Sequence, residues 1–262
     1  METIAETLWK YKTLTLKEMD SVKLMDRIDI KYIISSKQLD SILEAVSSSY
    51  FVMEELNTRQ FLYKNIYFDT SDKHLFLSHH NGKSLRYKLR IREYCEFHRV
   101  FLEVKKKFKG RTMKSRLLLT DNGSLEQFGD LSNLPVDFLN FLGKKIPYPI
   151  QQLTKSLKSD FKRITLIHKD MQERITIDTN LNFMDQGNRQ NSQSLPTVAV
   201  VEIKRNGHSG SHPFQLELKR LGIRPGSMSK YCIGSISLFP DLKYNNFKKT
   251  NLAIERIAHA GI

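Results

Sequence analysis

The chain has 262 residues, and its 42 Lys and Arg residues outnumber its 28 Asp and Glu residues, which gives a formal charge of +14 at pH 7. This excess of cations favours polyanionic partners. Nucleic acid, anionic membranes and phosphorylated small molecules are all partners of this kind. The two cysteines lack CxxC or Cys/His spacing, which argues against a disulfide framework and a structural zinc site.

The N-terminus and the apolar runs bear on location. The first six residues contain acids where a secretory signal has basic residues, and no apolar segment follows them. The apolar stretch 231–239 is interrupted by Gly and Ser and is far shorter than the roughly 18 residues needed to cross a bilayer. We therefore expect a soluble, cytoplasmic protein with no transmembrane segment of its own.

In chain order, the dominant pattern is an alternation of polar and apolar residues, which is typical of strands whose faces meet different environments. The stretches with this pattern are 27–33, 64–68, 86–92, 100–107, 113–119, 163–167, 174–178 and 198–204. About eight strands are enough to close a small barrel.

Fewer segments indicate helices. Apolar residues recur at helical spacing over 39–46, after a capping box formed by Ser35 and Gln38. Segments 135–143 and 213–222 begin with Pro and end with Gly, as short helices do, and 251–260 is a further candidate. The Asn-, Gln- and Ser-rich segment 186–197 indicates a mobile loop. Because no repeat or linker interrupts the chain, we expect a single α+β domain over residues 1–262.

The strands carry an unusual excess of charge on one face. Arg86, Lys88, Arg90 and Arg92 share one face of a single strand. Charged side chains also share one face of the segments 100–107, 174–178 and 198–204, but there they include both cations and carboxylates. A solvated sheet face explains one such strand, but cations predominate on several. If the charged faces turn inward and the apolar faces lie beneath helices, the charged faces line a polar tunnel that requires an anion. Arg and Lys side chains both bind phosphate well, so the anion is expected to contain phosphate.

Several short motifs follow one another in a fixed order. They are RIDIKY at 27–32, YFDT at 67–70, LRIR at 89–92, FLEVK at 101–105, FKR at 161–163, RITID at 174–178, VEIK at 201–204 and SKY at 229–231. In this order the chain, from about residue 20 to 240, resembles the VTC domain. That is the polyphosphate polymerase domain of the vacuolar transporter chaperone complex and its bacterial relatives, within the triphosphate tunnel metalloenzyme (CYTH-like) superfamily.

The resemblance implies a fold, an activity and a set of site residues. The fold is an antiparallel eight-stranded tunnel β-barrel with flanking helices, in which ATP donates its terminal phosphoryl group to a growing polyphosphate chain with Mn²⁺ or Mg²⁺ bound. The implied catalytic cations that contact phosphates are Lys31, Arg90, Arg92, Lys105, Arg163 and Lys230. Lys114 and the Ser229 hydroxyl would bind substrate, and Glu202 would be the metal ligand. A membrane partner protein is a further candidate partner.

Some roles stay open at the level of sequence. Asp29, Glu103 and Asp178 would either contact the metal or hold a neighbouring cation in place. The eight histidines show no metal-ligand spacing, and the adjacent His79 and His80 are expected at the surface on opposite faces of a strand.

Alternative functions are also open. A tunnel triphosphatase, with water as the acceptor, typically carries Glu-x-Glu-x-Lys on its first strand, whereas this chain has Arg27-x-Asp29-x-Lys31, which favours the polymerase. A non-catalytic sensor of polyphosphate or inositol phosphates is disfavoured by the presence of Glu202 among the cations. Nucleic-acid binding is not expected, because no aromatic stacking platform interleaves with the basic residues.

Overall fold

The computed structural model describes residues 3–20, 27–206, 210 and 212–260. Its strands are β1 (Lys12–Leu14), β2 (Arg27–Ser35), β3 (Tyr50–Met53), β4 (Phe61–Asp69), β5 (Arg86–Tyr94), β6 (Arg99–Phe108), β7 (Arg111–Thr120), β8 (Thr154–His168), β9 (Glu173–Asp185), β10 (Ser192–Leu195) and β11 (Val198–Asn206). Its helices are α1 (Ile4–Trp9), α2 (Leu16–Asp20), α3 (Ser36–Val46), α4 (His74–His80), α5 (Val136–Lys145), α6 (Pro213–Arg220), α7 (Lys230–Leu238) and α8 (Lys248–Ala260). Within these described residues, no helix is long and apolar enough to cross a membrane.

Eight strands form one continuous antiparallel path. The order is β2-β11-β9-β8-β4-β5-β6-β7, while β3 and β10 add to β8 and β9, and β1 pairs in parallel with β3. The expected fold was an α+β antiparallel eight-stranded tunnel β-barrel with flanking helices, and its class, its eight main antiparallel strands and its flanking helices are confirmed. The ladder does not join β2 to β7 in the part of the chain that the structure describes. The outer strand β7 is largely exposed and bears Lys114 and Arg116, and charged side chains of this kind discourage edge pairing.

The sheet is strongly curled. Lys105 on β6 and Glu202 on β11 are separated by five strand-to-strand steps along the path, which would place them about 24 Å apart on a flat sheet. The charge of Glu202 nevertheless acts on the pKa of Lys105, and screening suppresses such effects between exposed charges beyond about 10 Å. The curl therefore turns β6 towards β11 across a concave space.

Apolar residues cover the convex face, beneath helices. Leu39 of α3 and Phe214 of α6 pack with Ile177 and Ile203 on one half of the sheet. On the other half, Leu142 of α5 joins the cluster formed by the apolar faces of β5 and β6. Each fully buried Leu, Ile or Phe side chain contributes about 1.5–3 kcal/mol to folding. This burial fixes which face of each strand is turned outward, and so leaves the charged face for the concave side.

Helix α7 packs on the concave side and fills one end of it. Tyr231, Cys232 and Ile233 are buried there with Phe161 and Phe183. The helix begins at Ser229, whose hydroxyl oxygen accepts a hydrogen bond from the Cys232 amide at 3.2 Å. As a result, the first residue of α7, Lys230, projects towards the strands.

The local predictions have mixed outcomes. The capping box of Ser35 and Gln38 is present at the start of α3, and helices occur at all four predicted places. The prediction of a mobile loop over 186–197 is wrong in part, because β10 lies within it. Those polar residues pair with β9 from Ser192 to Leu195, so backbone pairing overrides their weak strand preference.

Candidate active site

The charged residues of the concave face form a surface that we call the basic wall. It consists of Lys31, Lys88, Arg90, Arg92, Lys105, Lys114, Arg163, Lys204 and Lys230, together with the carboxylates Glu103, Asp178 and Glu202. Each of the three carboxylates lies between two of the cations.

The first carboxylate, Glu103 on β6, is almost fully buried. Its Oε2 accepts from Arg90 on the neighbouring β5, with Nε 2.8 Å and Nη2 2.6 Å away, and its Oε1 forms an ion pair of 2.5 Å with the Lys114 ammonium on β7. Burial alone would raise the pKa of Glu103, but Arg90, Arg92 and Lys114 hold it well below its usual range. Glu103 therefore stays ionised and fixes the direction of the Arg90 side chain.

The second carboxylate, Asp178 on β9, binds the guanidinium of Arg163 in a two-point pair. Arg163 Nε lies 2.6 Å from Oδ1 and Nη2 lies 2.8 Å from Oδ2, and Lys230 of α7 also donates to Oδ2. Burial of Asp178 is again outweighed by its two cations, so its pKa is held well below the ordinary value. The Lys230 ammonium also lies 4.3 Å from the centre of the Phe161 ring, a distance at which the ring face attracts a cation.

The third carboxylate, Glu202 on β11, is paired with two lysines. Lys31, directly opposite on β2, donates to Oε1, and Lys204 donates to Oε2. These ammonium groups outweigh burial and hold the pKa of Glu202 well below its usual range. For Lys204, burial lowers the pKa to about 8 even though Glu202 opposes the shift.

Three lysines lie side by side across β5, β6 and β7. The strand register places Lys88 opposite Lys105, and Lys105 opposite Lys114. Among the described residues, Lys88 and Lys105 have no carboxylate within ion-pair distance. Like charges directly opposite one another destabilise a sheet. The Lys105 side chain is exposed to the solvent of the concave space, but surrounding protein atoms and the repulsion of Lys88 lower its pKa to about 8.

Arg92 is the last cation along the charged face of β5, towards the end of the strand. It is buried, and its Nε donates to Asn65 Oδ1 at 2.7 Å. The guanidinium carbon is 5.1 Å from the centre of the Tyr63 ring. Hydrogen bonding and ring contacts thus orient Arg92 without neutralising its charge.

The structure brings the residues implied by the resemblance onto one surface. Lys31, Arg90, Arg92, Lys105, Lys114, Arg163, Glu202 and Lys230 all belong to the basic wall. Ser229 lies beside Lys230 and caps α7, which leaves only the hydroxyl hydrogen for a phosphate oxygen. Their roles in catalysis and binding stay predictions.

Sequence reasoning missed Lys88 and Lys204 as site residues, although both lie two residues from residues that it selected and on the same strand face. It left Glu103 and Asp178 open, and the structure shows each holding two cations. The expectation that His79 and His80 lie at the surface of a strand is wrong. Both belong to helix α4, where His80 is buried, and burial together with the nearby Lys88 lowers the pKa of His79 to about 2.

The residues around Glu202 suit a hard divalent cation. Glu202 is ionised, and the groups that now neutralise it are flexible lysines that can move towards phosphate oxygens. Asp29 stands opposite Lys204 in the register and acts on its pKa, so a second carboxylate is close to the same place. Mg²⁺ is commonly held by one or two carboxylates plus substrate phosphates. Glu202 with Asp29 therefore fits an Mg²⁺ or Mn²⁺ ion that arrives with a polyphosphate.

Comparisons with known proteins show the family and the fold of the chain. The family model described as the VTC domain matches residues 26–239. No curated protein matches the chain. Among solved structures, a proposed adenylate cyclase from Bacillus halodurans is similar with a TM-score of 0.51 and 17% identity, over 78% of this chain and 96% of that one. A proposed adenylyl cyclase from Hippeastrum, described as having a dominant triphosphatase activity, has a TM-score of 0.48 and 15% identity, over 80% of this chain and 95% of that one. The Bacillus halodurans protein shares the fold.

Proposed function

The chain belongs to the VTC domain family, and from this membership and the charge of the basic wall we propose that it is a metal-dependent polyphosphate polymerase. It transfers the terminal phosphoryl group of ATP to a growing polyphosphate chain in the concave space. ATP as the donor implies a cytoplasmic location for the reaction.

The observation that carries the proposal is the row formed by Lys88, Lys105 and Lys114. Its three like charges lie on adjacent strands, and only Lys114 has a carboxylate partner among the described residues. A single phosphate could neutralise one or two of these groups. The row continues into Arg90 on the same face of β5, and across the concave space from Lys105 lies Lys31. An anion of several linked phosphates matches this extent better than a single phosphate group.

The arrangement suits phosphoryl transfer, in which a protein mainly positions an in-line attack and stabilises charge. A terminal oxygen of the acceptor chain forms a bond to the γ-phosphorus of ATP, the bond from that phosphorus to the β–γ bridging oxygen breaks, and ADP leaves with the electron pair. The attacking oxygen is already anionic, so no side chain has to remove a proton. Arg90 and Arg163, whose directions are fixed by Glu103 and Asp178, hold phosphate oxygens with charge-assisted hydrogen bonds.

The carboxylates Glu202 and Asp29 would hold the divalent cation. When bound, such an ion neutralises charge on the phosphate oxygens and favours departure of ADP. With Glu202 engaged by the cation, Lys31 and Lys204, which are paired with Glu202 in the structure, would be free to donate to phosphate oxygens.

The proposal is tested by incubating the purified protein with γ-labelled ATP and either Mn²⁺ or Mg²⁺, and separating the products by size. Long labelled chains are expected, together with ADP in equal amount to the phosphoryl groups transferred. Labelled orthophosphate without chains would overturn the polymerase and indicate a triphosphatase. Binding of ATP and polyphosphate without turnover under any of these conditions would indicate a sensor.

A pair of neighbouring lysines provides a matched control. Lys105 lies on the basic wall, whereas Lys106 faces the convex side, with its ammonium 5.8 Å from the centre of the Tyr87 ring. Lys105→Ala is expected to lower chain synthesis strongly, and Lys106→Ala to leave it unchanged. Equal effects of the two variants would show that the lysine row does not bind the substrate.

A further inference from the structure

A second group of potential ligands lies away from the basic wall. His168 at the end of β8, Asp170 in the following turn and His212 just before α6 each direct one ligating atom into a common space, and these atoms all lie within 4.8 Å of one another. His168 Nδ1 is 2.8 Å from Asp170 Oδ1, and His212 Nε2 is 3.4 Å from Asp170 Oδ2. His168 follows the strand face of Ile164 and Leu166, which pack in the convex core, so this group is on the side opposite the wall.

A buried carboxylate stands behind this group. Glu173 is 0% exposed, and its Oε1 accepts a hydrogen bond from the Tyr50 hydroxyl at 2.6 Å. Its Oε2 has no hydrogen-bond partner and lies 3.5 Å from His212 Nδ1, which also has none. A buried carboxylate aimed at the rear nitrogen of an imidazole is the arrangement by which proteins orient histidine ligands of metals.

We propose that His168, Asp170 and His212 bind one divalent cation of the zinc class, with Glu173 positioning His212. Two imidazole nitrogens and one carboxylate oxygen are a donor set that zinc accepts, with water in the fourth position. In this arrangement Glu173 accepts a hydrogen bond from the Nδ1–H of His212, which leaves the Nε2 lone pair for the metal. The site is reached from solvent through Asp170, whose side chain is 41% exposed.

The cation would connect two parts of the fold that are distant in sequence. The turn between β8 and β9 would be tied to the start of α6, the helix that covers the convex core through Phe214. The two histidines are 44 positions apart, which explains why short-range spacing gives no sign of the site. The ion would thus have a structural role, separate from the metal proposed for Glu202.

The competing explanation is that the histidines are protonated and simply paired with Asp170 and Glu173. Against it, the rings of His168 and His212 are stacked, with their centres 4.4 Å apart, an arrangement that two positive charges would oppose.

The test is zinc binding by the full chain after treatment with a chelator. One equivalent of Zn²⁺ is expected to bind and to raise the melting temperature, and Co²⁺ in its place is expected to give the intense visible absorption of a four-coordinate site. Asp170→Asn keeps the acceptor oxygen used by the Gln172 amide, so it is expected to fold and to bind Zn²⁺ at least tenfold more weakly. Glu173→Gln is expected to weaken binding by about 10- to 100-fold, because its amide would face His212 Nδ1 with a donor.

Two controls separate this site from others. Asp137→Asn, on the exposed surface of α5, and Glu202→Gln, on the basic wall, are both expected to bind Zn²⁺ as the wild type does. The proposal is overturned if Asp170→Asn binds Zn²⁺ as tightly as Asp137→Asn does. It is also overturned if no equivalent binds to the wild type, or if the Co²⁺ spectrum is that of a six-coordinate ion.

Discussion

Arg163 and Asp178 lie directly opposite each other on β8 and β9 and form two parallel hydrogen bonds of 2.6 and 2.8 Å. The paired geometry leaves one guanidinium nitrogen of Arg163 outside the pair. The guanidinium carbon also lies 4.9 Å from the centre of the Tyr63 ring, so the side chain is held from two sides. Asp178 thus acts as a positioning residue for Arg163, and it positions Lys230 in the same way.

Asp178→Asn is expected to lower the free energy of unfolding by about 3–5 kcal/mol, because it leaves two partly buried cations without their counter-charge. Tripolyphosphate should restore more stability to this variant than to the wild type, since the anion supplies the missing negative charge. Urea unfolding with and without the ligand measures both effects. Glu126→Gln, which removes an exposed pair with Lys158, should cost no more than about 1 kcal/mol. A cost at Asp178 as small as this control would contradict the positioning role.

Two arginines on one face of β5 are expected to differ in their importance for binding. Arg90 is fixed towards the concave space by Glu103, whereas Arg86 donates to the Lys83 carbonyl at 2.8 Å near the beginning of the strand. Arg90→Ala should weaken tripolyphosphate binding by about 1.5–3 kcal/mol, against roughly 0–1 kcal/mol for Arg86→Ala. Titration calorimetry at low and high salt measures the difference, and the Arg86 contribution should fade with salt. Comparable losses that resist salt equally would mean that both arginines reach the phosphates.

The charged faces of the strands could be predicted because a strand alternates its side chains with a period of two. This rule alone placed Arg90, Arg92 and Lys105 on common faces. It could not pair Glu103 with Arg90 or Asp178 with Arg163, because those contacts depend on the register between strands, which loop geometry and the packed core determine. The row of Lys88, Lys105 and Lys114 could not be predicted from the sequence for the same reason.

Helix α7 and the curl of the sheet also lie beyond sequence patterns. Tyr231 to Ser235 are all buried, so α7 is surrounded by the core and lacks the one-sided apolar period that reveals a surface helix. The curl brings β11 near β6 through the summed twist of several strands, to which no single residue pattern corresponds. Lys204 illustrates the result: its strand face was predictable, but its contact with the site carboxylate was not.

Glu202→Gln is expected to separate binding from chemistry. The change removes a metal ligand and a negative charge with little change of shape, and it releases Lys31 and Lys204 for phosphate oxygens. Metal-dependent turnover should be lost while tripolyphosphate binds as tightly as before or more tightly. Product formation and calorimetric affinity measure the two effects, with Glu217→Gln on α6 as a control at an ion pair outside the wall. Equal loss of binding and turnover in a folded protein would contradict the role of Glu202 as a metal ligand.

The close approach of α7 to the sheet gives a prediction about stability. A Cβ atom at Gly234 would lie 2.5 Å from Cδ1 of Phe183, whereas at Gly143 of α5 it would meet no atom within 4 Å. Gly234→Ala should therefore lower the free energy of unfolding by about 1–3 kcal/mol through overpacking. Gly143→Ala should raise it by about 0.5–1 kcal/mol through helix propensity. Denaturant unfolding of the two variants measures this, and a stabilised Gly234→Ala would show that α7 is not packed so closely.

The lowered pKa of Lys105 predicts how phosphate binding depends on pH. With a pKa of about 8, the side chain is an ammonium at pH 7 and mostly a neutral amine at pH 9. An anion binds the charged form, so the affinity for tripolyphosphate should fall as the pH rises through 8. Between pH 7 and 9 the protonated fraction of Lys105 drops about tenfold, and this drop sets how much of the loss of tripolyphosphate affinity comes from this one group.

Lys105→Arg isolates that contribution, because a guanidinium keeps its proton throughout this range. The variant should show a smaller loss of affinity between pH 7 and 9 than the wild type. A residual loss should remain, since the pKa of Lys204 is also lowered to about 8. Any extra charge that tripolyphosphate itself gains with pH acts equally on both proteins and cancels in the comparison. Lys106→Arg, on the convex side, should follow the wild-type profile, and a Lys105→Arg profile that also matches the wild type would show that Lys105 does not contact the phosphates.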